Sequence, residues 1–147
     1  MREIKFRGKR SDNGEWVECG TLIHLSGTDE QFFYMPKIGD NAHIGTDKTG
    51  NVVCIPECNF YRIVPETVGQ YTGQDAIGNV PIFEGDIVWN DEEDERAVIS
   101  WDKDESKFVI EYEGWFADFS NTYGFELEVI GNIHDNPELI GGNGNDT

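Results

Sequence analysis

The sequence predicts an all-β protein built from short antiparallel strands. Three observations carry that reading. No stretch holds the 3.6-residue apolar period of an amphipathic helix for any length. Short runs rich in Val, Ile, Phe, Tyr and Trp recur along the chain, and these residues fit a pleated, half-buried surface. Between the runs stand clusters of Gly, Asn, Asp and Pro, the residues that turns require.

Ile4 and Phe6 alternate with Glu3, Lys5 and Arg7, so residues 3–7 read as a strand. Ser11-Asp12-Asn13-Gly14 is a hairpin turn, with Asn-Gly as its signal. Glu15 to Leu25 reads as one extended strand with a bulge at Gly20. Gln31 to Met35 is a strand closed by Pro36. Lys37 to Asn51 reads as a loop, and its Gly39, Gly45 and Gly50 lack the spacing of a phosphate-binding loop. Val52 to Ile55 is a strand, Pro56 to Asn59 a turn, and Phe60 to Val64 leads onward.

The stretch from Val64 to Trp101 organises the rest. Thr67 to Thr72 is expected as a strand and Gly73 to Asn79 as a turn, with positive φ at Gly78-Asn79. Pro81 lacks an amide hydrogen and belongs at a strand start or edge. A sharp bend at Gly85-Asp86 brings Phe83, Ile87, Val88, Trp89, Val98, Ile99 and Trp101 into one core. Asp86 is expected to bond the bent backbone. Ile87-Val88-Trp89 and Arg96 to Trp101 form a hairpin whose tip is the acidic run Asp91 to Glu95. Lys107 to Glu113 alternates as a strand, Gly114 to Tyr123 is aromatic and irregular, and Phe125 to Ile133 is the last strand. Pro137 to Ile140 begins a helical turn.

Several of these blocks resemble the YopX family of phage and prophage proteins. They are Arg2 to Lys9, Asn13 to Val17, Val64 to Gly73, Ile82 to Val88 and Glu128 to Leu139. Their order and joint presence span nearly the whole chain. The resemblance implies a small β-rich phage protein that forms homo-oligomers, and it implies no catalytic residues.

The expected organisation is an N-terminal β-hairpin subdomain over residues 1–65 and an SH3-like barrel over residues 66–139. A disordered tail is expected over residues 140–147. The barrel reading is an analogy of strand order and carries no function with it.

The 147 residues include 29 acidic and 11 basic side chains, a net charge of −18. That charge opposes direct binding to phosphate backbones, which Lys and Arg drive by displacing counterions. It suits a solvated surface or a basic partner. Three cysteines, Cys19, Cys54 and Cys58, with no secretory signal, point to reduced thiols in a cytoplasm, and the resemblance to phage proteins implies that it is a bacterial host's. No apolar run reaches the roughly 20 residues of a membrane span.

The candidate chemistry is sparse. Cys54 and Cys58, with His43 upstream, lack the second ligand pair of a structural zinc site. His24, His43 and His134 have no nucleophile motif beside them. Glu84 and Asp86, with Glu66 before them, are paired carboxylates in principle. Local turn bonding is the preferred account of them, with Asp86 bonding its own turn and Glu66 serving amides near Pro65. The run Asp91 to Glu95 lacks the spacing of a calcium loop. Arg2, Lys5, Arg7, Lys9 and Arg10 place five of the eleven basic residues at the start of the chain, where they suit docking onto an acidic neighbour. The sequence therefore predicts no catalytic, cofactor-binding or metal residues and no cofactor. It predicts a non-enzymatic accessory protein that works as an oligomeric interaction module with a possible host protein partner, without nucleic acid or membrane. The alternative is an acidic nucleic-acid mimic that occupies a host DNA-binding protein.

Overall fold

A computed structural model describes residues 3–36, 43–46, 48–55 and 58–141. Among them there is no α-helix, only short 3₁₀ turns, the last of them Pro137–Ile140 after the final strand. No helix is long and apolar enough to cross a membrane. The all-β reading holds. The described parts of the chain form two compact units, Lys5–Val68 and Met1–Ile4 with Gly69–Thr147.

In the Lys5–Val68 unit, β1 (Phe6–Lys9) pairs antiparallel with β2 (Trp16–Cys19) across the Ser11–Gly14 turn. The strand expected from Glu15 to Leu25 is two strands. It breaks at Gly20-Thr21, and β3 (Leu22–His24) pairs with β4 (Gln31–Pro36), a different partner. β4 pairs in turn with β7 (Cys58–Ile63). The loop expected over Lys37 to Asn51 contains β5 (His43–Thr46), which pairs with β6 (Val52–Ile55). The turn expected over Pro56 to Asn59 is already strand from Cys58, because pairing with β4 extends β7 backward. Phe33 and Ile63 are fully buried here.

Thr67, expected to open a strand, instead closes the 3₁₀ turn Pro65–Thr67. The Thr67 hydroxyl donates to the Val64 carbonyl at 2.6 Å and accepts the Lys9 amide at 2.9 Å. Those two bonds hold the chain bent where β propensity alone favours extension.

In the second unit, β8 (Gly69–Ala76) and β9 (Val80–Phe83) form a hairpin. The strand runs through Gly73, which marks an irregularity in the register, so the turn is confined to residues 77–79. Gly78 and Asn79 do have positive φ, 81° and 60°. Five strands follow: β10 (Asp86–Asn90), β11 (Glu95–Asp102), β12 (Lys107–Tyr112), β13 (Trp115–Asp118) and β14 (Leu127–Asn132). The first four form a meander, and after two 3₁₀ turns β14 returns to pair with β10. This is the SH3-like order, curled into a half-barrel. The aromatic segment expected to be irregular contains β13, and the last strand starts at Leu127 because Gly124–Glu126 is a 3₁₀ turn.

Ile82, Val88, Ile99, Ile110 and Leu127 are buried together in the half-barrel core. Phe83 and Ile87 are buried as well, but Trp101, expected inside, is 45% exposed and packs edge-on against Phe108. The bend that makes this core possible is at Gly85, with φ of 90°. Its amide donates to the Ile99 carbonyl at 2.7 Å, and its carbonyl accepts the Ile133 amide at 2.9 Å.

Candidate functional site

The site grows from a two-residue turn. Tyr112-Glu113-Gly114-Trp115 joins β12 to β13, so Tyr112 and Trp115 lie directly opposite each other. Gly114 takes φ of 85°, a conformation that a Cβ would strain. The two rings stack at 4.0 Å with an interplanar angle of 8°. Tyr112 is buried, whereas Trp115 is exposed on the sheet edge and donates its indole N–H to Glu95 Oε2 at 3.2 Å.

Asn90, the last residue of β10, ties this pair to the acidic hairpin tip. Its side-chain amide donates to the Tyr112 hydroxyl at 2.8 Å. Its Oδ1 accepts the amides of Glu92 at 3.0 Å and Glu93 at 3.4 Å. One buried side chain thus orders the tip and orients the phenol. On the far side, the Gly124 amide donates to Gln74 Oε1 at 2.6 Å, which anchors the segment carrying Tyr123 and Glu126.

Between these elements lies a pocket of about 400 Å³. Tyr112, Trp115 and Tyr123 supply its aromatic lining, and Ala117 and Leu127 its aliphatic one. Glu92, Glu93 and Glu126 supply carboxylates. Burial pushes the Tyr112 hydroxyl pKa up; the Asn90 hydrogen bond opposes the shift, and the charges of Glu93, Glu95 and Glu92 add to it. With Glu92, Glu93 and Glu126 and no cationic residue, the pocket lining carries a net negative formal charge. Its lining includes no His, Cys or Lys. Aromatic rings beside carboxylates form a setting that attracts cations.

The side chains singled out by sequence lie elsewhere. Asp86 is 1% exposed, and its Oδ2 accepts the Phe83 amide at 2.8 Å, the local bond expected of it. Glu84 sits in the same bend. Glu66 is exposed, and the amide-serving role expected of it belongs to the Thr67 hydroxyl. His24 Nε2 lies 2.7 Å from the Thr28 carbonyl oxygen. The His134 amide donates to Asn132 Oδ1 at 3.0 Å. Cys19 Sγ accepts the Thr21 amide at 3.4 Å. The side chains of His43, Cys54 and Cys58 lie outside the described residues, as do Arg2 and the tail from residue 142. Among the described residues no group of His, Cys, Asp or Glu converges as a metal site. In the basic cluster, Arg7 and Lys9 both lie over the Trp16 ring, at 4.9 and 5.4 Å from its centroid. Arg10 pairs with Asp12 at 2.6 Å and lies over Tyr61. Sequence reading missed Asn90, Tyr112, Trp115 and Tyr123. The usable signal was the aromatic pair flanking Glu113-Gly114.

A family model described as YopX protein matches residues 5–141. Among solved structures, the chain is similar to the crystal structure of protein EF1440 from Enterococcus faecalis. The two are 23% identical with a TM-score of 0.60, and the match covers 95% of this chain and 99% of that one. No curated protein matches the chain.

Proposed function

The chain belongs to the YopX family, and from that premise we propose that it is a phage-encoded, non-enzymatic accessory protein acting in the bacterial cytoplasm as an oligomeric interaction module. One observation carries this reading. Phe116 on the edge strand β13 is 63% exposed, and Tyr123 and Phe125, a ring pair in the segment that follows, are 64% and 67% exposed. Such aromatic surface on a sheet edge is costly to leave in water and suits contact with another chain.

Light scattering on the full chain tests the reading. The expected mass at micromolar concentration is a multiple of the 16.7 kDa protomer, and Phe116→Ser with Phe125→Ser reduces it to one protomer. A wild-type protein that stays monomeric at high micromolar concentration contradicts the assembly.

The net charge of −18 favours a second reading, an acidic mimic of nucleic acid that occupies a host DNA-binding protein. A pull-down from host lysate separates the two. The mimic retains a basic nucleic-acid-binding protein at low salt, and failure to retain one rejects it.

A further inference from the structure

We propose that the pocket between the acidic tip of the β10–β11 hairpin and the Tyr112–Trp115 pair receives a single arginine side chain from a basic segment of a partner protein. The inference rests on the reading of this unit as an interaction module and names the chemistry of what it contacts.

Charge distribution is the first argument. Residues 69–147 contain 19 acidic side chains and only three basic ones, Arg96, Lys103 and Lys107, a net −16 of the chain's −18. Two of those three cations are engaged. Arg96 donates to the Leu139 carbonyl at 3.0 Å, and Lys107 pairs with Asp118 and Glu105. Glu92, Glu93 and Glu126, which line the pocket, enter no ion pair among the described residues. These three carboxylates of the pocket lining are therefore without an ion-pair partner among the described residues.

Shape and chemistry are the second. A volume of about 400 Å³ accommodates one long side chain. Its stem would lie against Ala117 and its head would meet rings and carboxylates. A guanidinium is planar, stacks on aromatic faces and forks onto carboxylates through paired N–H donors. An ammonium is more strongly hydrated and gives up more on leaving water. The mixture of aromatic faces and carboxylates on one pocket therefore selects arginine over lysine.

A second copy of this chain would offer its basic cluster first, but Arg7, Lys9 and Arg10 are already placed against Trp16, Tyr61 and Asp12. A chain of net charge −18 is a poor source of cations for its own copies, so the arginine is assigned to a basic partner protein.

The test is a titration of the ¹⁵N-labelled full chain with the pentapeptide Gly-Ser-Arg-Ser-Gly, followed by NMR. Matched peptides carry citrulline, a neutral isostere, or lysine in place of arginine. The expected result is a saturable shift of the Trp115 indole N–H and the Asn90 side-chain amide. Citrulline binds at least about tenfold more weakly and lysine several-fold more weakly, because the fork and the charge act together. Glu92→Gln with Glu93→Gln, both on the exposed tip, weakens arginine binding by about fivefold or more, in proportion to the lost field. Equal binding of citrulline or lysine, shifts spread over the acidic surface, or no shift at Trp115 overturns the proposal. Light scattering on the same samples reads assembly separately, so an assembled protein that ignores the peptide rejects the arginine site and leaves the module reading standing.

Discussion

Asp86 Oδ2 accepts the backbone amide of Phe83 across the tightest bend of the half-barrel, at 2.8 Å and out of contact with solvent. An unpaired buried amide is costly, so Asp86→Ala is expected to lose about 1–2 kcal/mol. Asp86→Asn keeps an acceptor oxygen in the same place and is expected to lose less. Urea denaturation of the two variants checks the order, and two near-neutral variants would remove Asp86 from the structural account.

Gly85, one residue earlier, is expected to resist substitution for a different reason. Its φ of 90° is a conformation that any Cβ strains. Gly85→Ala should cost more than about 1 kcal/mol, read from the same denaturation midpoint.

Asn90→Ala removes the donor to Tyr112 and the acceptor for the Glu92 and Glu93 amides at once. A loss of about 2–3 kcal/mol is expected, because a buried hydroxyl and a turn lose their partner together. Near-ultraviolet circular dichroism should also lose part of the signal of the stacked Tyr112–Trp115 pair. An unchanged spectrum would mean that the stack does not depend on Asn90.

Burial pushes the Tyr71 hydroxyl pKa from the ordinary 10.0 up to about 12, with its bond to Asp75 and the nearby Glu3 charge adding to the shift. Between these values the unfolded chain releases the proton and the folded chain retains it. The unfolded state then binds fewer protons, so stability falls as pH rises through this window. Denaturation midpoints measured across it should decline more steeply for the wild type than for Tyr71→Phe. Parallel declines would contradict the assignment.

Much of the fold was legible because local chemistry and tertiary pairing agree. Val52–Ile55 is a strand in both, and the hairpin from Asp86 to Asp102 has its acidic tip where the run of carboxylates demands solvent. The misreadings fall where pairing overrides composition. β5 carries Gly45 in a glycine-rich region, and β8 passes through Gly73, which looks like a turn signal and is a register irregularity. β13 begins with Trp-Phe, and no alternation announces it.

The pocket was less legible than the fold. Asn90 and Tyr112 are 22 residues apart, and nothing in the order of residues announces their hydrogen bond. Asn90 also stands beside five consecutive acids and reads as part of a solvated tip, whereas it is the buried residue that organises that tip. Tyr112 and Trp115 are close in sequence, and their stack was within reach of a reading that treated Glu113-Gly114 as a two-residue turn.

Hydrogen–deuterium exchange at low and high protein concentration reads whether β13 and the Tyr123–Phe125 segment lie in a contact between copies. The account predicts that amides of Trp115–Asp118 and of residues 123–125 exchange more slowly in the concentrated sample, while exposed amides at the Lys103–Ser106 turn are unchanged. Exchange at β13 that is independent of concentration in an assembled sample, or protection confined to another surface, would contradict it.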